Sequence, residues 1–275
     1  MRLSVVIPTL GGIQLKETIE ALQNSSIRPM EILICMPDLS ELLADIDLSD
    51  NVEIIRIKKK GQVYQRATGF IAAKGDFVLQ LDDDFILKND AIEKLIECSL
   101  VLGEKSAVSP AILDKDTKTS IYKSKATFMI WRIMYWIMNG KYGFQSGSIS
   151  LSGINFGLYF DDKVSNINES EWLPGGCVLH RKENLILEDY FPFEGKAYSE
   201  DLLHSFILRE RGVDLYICNK SVVYTKTDGI ELLQELYKQY KISKYVNSIW
   251  GRGLIRLKAY YLIKLIFFLL KKLRV

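Results

Sequence analysis

Three consecutive aspartates, Asp82, Asp83 and Asp84, directly follow the apolar run 77–81. Such a run predicts a buried strand, and adjacent like charges at its end repel one another. A divalent cation offsets this repulsion, because Mg²⁺ and Mn²⁺ bind carboxylate oxygens, often together with substrate phosphates. Residues two apart in an extended chain point the same way, so we expect Asp82 and Asp84 to face one site while Asp83 turns aside. A solvated turn is the alternative, since aspartate also favours turns.

The first hundred residues alternate between short apolar runs and helical patterns. The patterns predict strands at 3–7, 31–35, 52–57 and 77–81, and helices at 14–23, 39–44, 63–73 and from about 90 to 101. Further strands are expected at 107–113 and 178–181, with loop or hairpin over 140–162 and a helix from 199 to about 211. This order is typical of an α/β domain with a mainly parallel sheet, in which ligands bind at the carboxyl ends of strands. The aspartate triplet lies at such an end.

A second acidic segment, Ser199-Glu200-Asp201, opens one of these predicted helices. Serine caps helices, and acidic residues favour the positive end of a helix, so a structural role explains the segment. The functional alternative is a carboxylate that accepts a proton from a sugar hydroxyl. The paired glycines of 172–177 either allow close approach to a ligand or form an ordinary turn.

The composition indicates a soluble, globular protein with one large domain, or one domain and an appendage. The chain has 275 residues, of which 48% are hydrophobic and 25% charged. Its four cysteines are scattered and form no CxxC pair, so we expect neither a zinc site nor disulfides, and a reducing compartment.

The charge is unevenly distributed behind a net value of +2. The stretch 236–275 contains ten basic residues and no acidic one, which leaves −8 on the rest of the chain. We therefore expect a catalytic domain over 1–230 and a basic amphipathic tail over 231–275.

The end of this tail, 254–273, has helical periodicity with a basic edge that includes Arg256 and Lys264. Its uncharged runs are far shorter than the ~20 residues needed to cross a bilayer. A basic amphipathic helix with aromatic residues fits binding in the plane of an anionic membrane. Packing against the protein's own core is the alternative, and the same choice applies to the aromatic-rich helix predicted at 127–138. Nucleic acid is not expected as a partner, because it would leave the apolar surface unexplained.

Taken in order, several short segments resemble glycosyltransferase family 2. They are the first strand with Pro8 and Thr9, the segments 65–69 and 73–76, the DxD-like run 81–84, the glycine turn 174–177, the Glu200-Asp201 pair and Gly212. The resemblance implies a GT-A fold, a Rossmann-like α/β fold of nucleotide-diphospho-sugar transferases. It implies a nucleotide-binding part at about 1–115 and an acceptor part at about 116–230, followed here by C-terminal amphipathic helices.

The resemblance also implies the chemistry. A sugar would move with inversion from a nucleotide-diphosphate sugar, with UDP as the expected nucleotide, and Mn²⁺ or Mg²⁺ would serve as cofactor. Asp84 would coordinate the metal, with Asp82 near the metal or the ribose. Asp201 would be the general base, and Glu200 would support it. Direct displacement requires no protein nucleophile, and the sequence offers no convincing one.

The nucleotide pocket implied by the resemblance would be lined by Pro8, Thr9 and Arg66, with Asp83 also at the donor site. Asp38 stands where the family often has a pair of aspartates, the first of which contacts the base.

Three positions depart from the family pattern. Asp38 has no second aspartate beside it, Ile207 stands where many relatives carry an arginine, and Tyr224 stands near the place of a late histidine. The only histidines, His180 and His204, are expected to be structural or on the surface rather than metal ligands.

The preferred hypothesis is an inverting glycosyltransferase at the cytoplasmic face of a membrane, acting on a saccharide or lipid-linked acceptor in surface polysaccharide or glycolipid synthesis. One alternative is a nucleotidyltransferase that makes the nucleotide sugar, although 10–15 lacks the glycine- and basic-rich phosphate loop that it would need. Another is a non-catalytic saccharide-binding protein with a degenerate site.

Overall fold

The computed structural model describes residues 1–43, 45–46, 49–122, 129–158, 165–194, 197–226 and 233–272, without the side chains of residues 130, 271 and 272. Within these ranges the strands are β1 Leu3–Pro8, β2 Glu31–Pro37, β3 Val52–Ile57, β4 Phe77–Leu81, β5 Ile86–Leu87, β6 Ser106–Asp114, β7 Ile167–Glu169, β8 Cys177–Arg181 and β9 Asp214–Thr225. The helices are α1 Leu15–Gln23, α2 Gln62–Ala72, α3 Ala91–Leu102, α4 Met129–Asn139, α5 Glu200–Glu210, α6 Leu233–Trp250 and α7 Leu254–Lys272.

The described residues form two compact units. The first contains 1–121 and 165–226, and the second contains 122–158 and 233–272. The expected division of the chain into a catalytic domain, with its nucleotide and acceptor parts, and a tail from residue 231 stays a prediction.

The first unit is built on one mixed sheet. Its strand order is β3-β2-β1-β4-β8-β6-β9-β5, with β7 pairing to β9. The strands β3, β2, β1 and β4 are parallel, as the alternating sequence pattern predicts. Beyond β4 the sheet becomes mixed, because β8 runs antiparallel to both β4 and β6. Every residue of β1, β2 and β4 is buried, which explains why these strands are mostly apolar in sequence.

Helix α2 lies unusually close to this sheet because of Gly69. A Cβ atom at this position would stand 2.4 Å from Val6 Cγ1 and 2.7 Å from Cys35 Sγ. The glycine thus permits the close approach that brings the first two turns of α2 to the carboxyl ends of β1 and β2.

Two expectations about this unit were wrong, and one strand was missed. Residues 39–43 form no helix, and Leu39 and Leu43 are 99% and 65% exposed. The long strand β9 was not predicted. Cys98 of α3 and Cys218 of β9 form a disulfide, which removes the observation behind the expected reducing compartment.

The second unit is helical. Met134 and Met138 of α4 pack with Phe156 in one buried cluster, and Leu257 and Tyr261 of α7 pack with Leu236 of α6 in another. One side of each helix is therefore core, as the packing alternative predicts, and contact of the other side with a membrane stays a prediction. The other sides carry exposed apolar residues: Met129, Ile133 and Trp136 on α4, and Ile255, Leu262, Ile266, Phe267, Leu269 and Leu270 on α7.

The basic edge of α7 faces the protein's own helices. Arg256 donates hydrogen bonds to the carbonyls of Trp136 and Ile137 at 3.1 and 2.9 Å, and Lys264 Nζ donates to Gln239 Oε1 at 2.9 Å. Among the described helices, none combines the length and the apolar character required to cross a bilayer.

Candidate active site

The aspartate triplet follows β4 at the carboxyl edge of the parallel strands. Asp83 turns toward β1, where its carboxylate accepts a hydrogen bond from the Thr9 hydroxyl. Thr9 Oγ1 in turn accepts the Gly11 amide at 2.9 Å, and the Thr18 hydroxyl donates to the Asp83 carbonyl at 2.9 Å. We expected Asp83 to turn aside, and these contacts fix it against the end of the first strand.

Asp82 faces helix α2. Its Oδ1 accepts a hydrogen bond from Gln62 Nε2 at 3.0 Å and lies 3.8 Å from Arg66 Nη2. The pKa of Asp82 is raised to about 7, mainly by burial and also by the charges of Asp84 and Glu200, while the charge of Arg66 opposes this rise. One quarter of the side-chain surface remains accessible, so a ligand can reach this carboxylate.

Arg66 connects the triplet to the second acidic segment. Its side chain is 2% exposed, and Nη1 donates to Glu200 Oε1 at 2.8 Å. The Tyr190 hydroxyl donates to the same oxygen. Glu200 is therefore held by two donors and is 3% exposed, which suits a supporting role rather than proton transfer.

Asp201 lies in the first turn of α5, two residues after Ser199, whose backbone is left-handed at φ 55°. Such a conformation in a residue other than glycine costs about 1–3 kcal/mol and is often found at functional sites. Burial first, and then the charge of Glu200, raises the pKa of Asp201 to about 7. A carboxylate with a pKa near neutrality is matched to general base catalysis. Ser199 makes no side-chain capping bond, so the simple N-cap explanation of this segment does not hold.

Asp84 is exposed and accepts a hydrogen bond from Thr225 Oγ1 at 3.3 Å, at the end of β9. Sequence reasoning missed Thr225 because it missed the strand. Tyr224, which stands near the place of the family histidine, has the Lys118 ammonium 4.1 Å from its ring centre instead.

The glycine turn closes the site from the side of β8. The Asp82 amide donates to the Gly176 carbonyl at 2.8 Å, and Arg66 Nη2 donates to the Gly175 carbonyl at 3.4 Å. A Cβ atom on Gly176 would lie 2.5 Å from Phe85 Cζ and 3.3 Å from Asp82 Oδ2. This turn therefore needs glycine for close packing against the triplet.

The remaining candidates take no part in these contacts. Pro8 is buried as the last residue of β1. Asp38 is exposed after β2, and its carboxylate makes no hydrogen bond or ion pair with the described part of the chain. His180 and His204 are inside the protein with ring centres 5.4 Å apart, and His204 stacks on Tyr190. Burial lowers the pKa of His204 to about 3, so it stays neutral.

Tyr190 and Gln62 carry no motif and could not be singled out from the sequence. Gln65 lies in one of the segments that resemble the family, and its amide donates to the carbonyls of Thr9 and Cys35 at 2.8 and 2.7 Å. This contact fixes α2 to the ends of β1 and β2.

The carboxylates suit a hard divalent cation. No group of three His, Cys, Asp or Glu side chains within the described ranges is arranged to hold a metal by itself. Asp82 and Asp84 nevertheless repel each other, since the charge of Asp84 raises the pKa of Asp82. Mg²⁺ sites commonly use one or two carboxylates plus substrate phosphates, and this donor set fits that mode.

Solved structures with a similar fold include two that contain UDP or a UDP-sugar. The crystal structure of GalNAc-T7 with UDP, GalNAc and Mn²⁺ superposes with a TM-score of 0.60 and 17% identity, over 83% of this chain and 43% of that one. S. aureus TarS 1–349 in complex with UDP-GlcNAc gives a TM-score of 0.52 and 12% identity, over 95% of this chain and 70% of that one. The chain thus spans less than half the length of GalNAc-T7. These likenesses identify the GT-A fold.

A comparison with curated protein sequences gave no significant match. The model of the family described as Glycosyl transferase family 2 matches residues 4–157, which include β1, the segment around Arg66 and the aspartate triplet. This match covers more than half of the 275 residues. The chain therefore belongs to glycosyltransferase family 2.

Proposed function

We propose that this protein transfers a sugar, with inversion, from a nucleotide-diphosphate sugar to a hydroxyl of a saccharide or lipid-linked acceptor. The observation that carries the proposal is the Arg66 contact with both acidic segments, 2.8 Å to Glu200 and 3.8 Å to Asp82. It supports a single site in which donor and acceptor groups meet.

In the proposed reaction the acceptor oxygen attacks the anomeric carbon, and the bond from that carbon to the diphosphate oxygen breaks. The electron pair of this bond leaves with the diphosphate, and Asp201 takes the acceptor proton. The raised pKa of Asp201 supports this role, because a base works best with a pKa near the working pH. Arg66 and Tyr190 hold Glu200 beside it.

Asp84 and Asp82 would hold a Mn²⁺ or Mg²⁺ ion, which stabilises the leaving diphosphate as a Lewis acid when bound. Thr225 orients Asp84, and Gln62 orients Asp82. Two similar folds were solved with UDP or a UDP-sugar, one of them with Mn²⁺, so UDP-sugars and Mn²⁺ are the first choice for testing.

A thermal-shift screen of UDP-, GDP- and dTDP-sugars with Mn²⁺ tests the donor class, since a ligand that binds the folded state raises its apparent stability. We expect a UDP-sugar to raise the midpoint and Asp84→Asn to remove the effect. Release of a nucleoside diphosphate on turnover supports transfer, whereas release of pyrophosphate identifies a nucleotidyltransferase and contradicts the proposal.

We further propose that the second unit lies on a membrane surface. The exposed apolar residues of α4 and α7 would otherwise face water, and large exposed apolar patches mark interaction sites. Anionic lipids attract basic segments, by about 1 kcal/mol for each Lys or Arg near the surface. We expect the protein to sediment with anionic but not with zwitterionic vesicles. Equal amounts of protein left in the supernatants of the two vesicle types would contradict the proposal.

The proposed location is the cytoplasmic face, whose leaflet carries the negative surface potential. The Cys98–Cys218 disulfide argues against it, because disulfides persist mainly in oxidising compartments. Thiol labelling of protein taken directly from cells decides between the cytoplasmic face and an oxidising compartment. Free thiols at both positions agree with the cytoplasmic face, and a stable disulfide contradicts it.

A further inference from the structure

A groove runs between helices α6 and α7 of the second unit. It has a volume of about 660 Å³, within the range of small-molecule sites. The residues that line it are Leu233, Leu236, Tyr237 and Tyr240 of α6, and Lys258, Ala259, Tyr261, Leu262 and Leu265 of α7. On both helices these positions follow the i, i+3, i+4, i+7 spacing of one helical face, so two apolar stripes form the walls.

The floor of the groove is core, and its rim is open. Leu236 and Tyr261 at the floor are 4% and 9% exposed. Leu233, Tyr237 and Leu262 at the rim are 49%, 59% and 59% exposed. Leu262 also belongs to the exposed apolar side of α7, so the groove opens onto the surface for which membrane contact is proposed.

One lysine ammonium group lines this apolar groove, and two others lie beside tyrosines that line it. Lys258 lines it directly and is exposed. The Lys241 ammonium lies 5.0 Å from the ring centre of Tyr237, and that of Lys264 lies 5.6 Å from the ring centre of Tyr261. Both tyrosines line the groove. Glu235 is the only acidic residue within α6 and α7.

We propose that the groove binds a single hydrocarbon chain of an anionic membrane lipid, with the lipid headgroup near Lys258 and Lys241. The apolar walls match a chain, and the surrounding cations match a negative headgroup. A peptide or a second copy of this chain has no comparable requirement for positive charge around an apolar floor. The inference depends on the proposed membrane location, and it adds a defined lipid site to a general surface attraction.

Calorimetric titration of the full chain with a single-chain lipid below its micelle concentration tests this site without a bilayer. Lysophosphatidylglycerol should bind saturably at one per chain. Lysophosphatidylcholine with the same chain should bind at least fivefold more weakly, and inorganic phosphate should not bind measurably.

Two exposed leucines of α7 provide a matched pair. Leu262→Asp places a charge on the groove wall and should weaken lysophosphatidylglycerol binding at least tenfold. Leu270→Asp makes the same change at a residue that is 51% exposed but does not line the groove, and should alter binding less than twofold. Equal effects of the two substitutions, or no saturable binding by the wild-type protein, would overturn the proposal.

Lys258→Gln tests the headgroup contact at an exposed position where folding is not at risk. It should weaken binding of the anionic lipid and leave that of the zwitterionic lipid unchanged, whereas Lys16→Gln on α1 should affect neither. Sedimentation velocity of wild type and Leu262→Asp completes the test. A wild-type dimer that Leu262→Asp dissociates would assign the groove to a second copy and refute the lipid.

The donor thermal shift, measured on the same samples, separates this inference from the proposed function. A normal shift with UDP-sugar and no lipid binding refutes the lipid site alone. Lipid binding without any nucleotide-sugar shift or turnover refutes the transferase alone.

Discussion

Arg66 Nη1 lies 2.8 Å from Glu200 Oε1, a residue 134 positions further along the chain, and Arg66 Nη2 lies 3.8 Å from Asp82 Oδ1. One buried guanidinium thus stands between the two acidic segments. Breaking a buried ion pair by removing one partner leaves a charge without compensation.

The Arg66–Glu200 pair should show strong energetic coupling. Arg66→Met should lower the free energy of unfolding by about 3–5 kcal/mol, and the double variant Arg66→Met/Glu200→Gln should recover part of that loss. Urea denaturation of the wild type, the two single variants Arg66→Met and Glu200→Gln, and the double variant measures the coupling. Arg2→Met removes the exposed pair with Asp76 and should leave stability unchanged. Additive effects of the Arg66 and Glu200 substitutions would show that the pair is not coupled.

Asp201 should control the pH dependence of transfer. With a pKa of about 7, it is protonated in acid, so the transfer rate should rise as pH passes from 6 to 8. Asp201→Asn should lower the rate by about 10²–10⁴ and remove this limb. Asp82 has a raised pKa in the same range, so donor affinity is measured at each pH to separate binding from proton transfer.

The substitution Asp201→Asn should also stabilise the protein at high pH. The folded pKa of Asp201 lies above its value of about 3.9 in an unfolded chain, so ionisation disfavours the fold once the pH exceeds the unfolded value. This penalty grows between pH 4 and 7 and is complete above 7. The thermal midpoint of Asp201→Asn should exceed that of the wild type at pH 8 and equal it near pH 4. A lower midpoint at pH 8 would show that Asp201 is stabilising instead.

The Tyr190 hydroxyl should contribute more to stability than an ordinary buried hydroxyl, because its partner Glu200 forms an ion pair with Arg66. Tyr190→Phe should cost about 1.5–3 kcal/mol of unfolding free energy while keeping the ring stacked on His204. Tyr261→Phe is the control, since that hydroxyl pairs with the neutral Ser243 at 2.9 Å and should cost about 0.5–1.5 kcal/mol. Equal costs would argue against a charged partner.

Gly176 should tolerate no side chain. A Cβ atom there meets the Phe85 ring at 2.5 Å, so Gly176→Ala must displace Phe85 or the turn beside Asp82. We expect the free energy of unfolding to fall by about 1–3 kcal/mol, as is typical of overpacking, and donor binding measured by calorimetry to weaken. At Gly253 a Cβ atom meets nothing nearer than 3.8 Å, so Gly253→Ala should leave the stability and the donor binding unchanged.

Much of the parallel half of the sheet follows from local pattern. Strand β4 has the predicted bounds, because four of its five residues are apolar and the aspartate triplet follows it directly. The mixed half does not follow in this way. In strand β9 the polar residues Asn219, Lys220 and Ser221 interrupt the apolar sequence. This strand pairs with β6, which lies about a hundred residues earlier in the chain, so local pattern does not reveal it.

The acidic residues of the site could be found from the sequence, but the groups that hold them could not. Tyr190 and Thr225 reach Glu200 and Asp84 through tertiary packing alone. Arg66 was expected at the nucleotide pocket, and the sequence contained no indication of its bond to Glu200. The exposed position of Asp38 leaves its expected contact with the base a prediction.

Calorimetric donor binding and transfer, measured together for Asp84→Asn and Asp201→Asn with Mn²⁺ and a UDP-sugar, test the central claim most directly. If the triplet holds metal and diphosphate while Asp201 takes the acceptor proton, Asp84→Asn loses metal-dependent donor binding. Asp201→Asn then binds donor within about twofold of wild type but transfers about 10²–10⁴ times more slowly. Wild-type transfer by Asp201→Asn, or wild-type donor affinity in Asp84→Asn, would contradict the account.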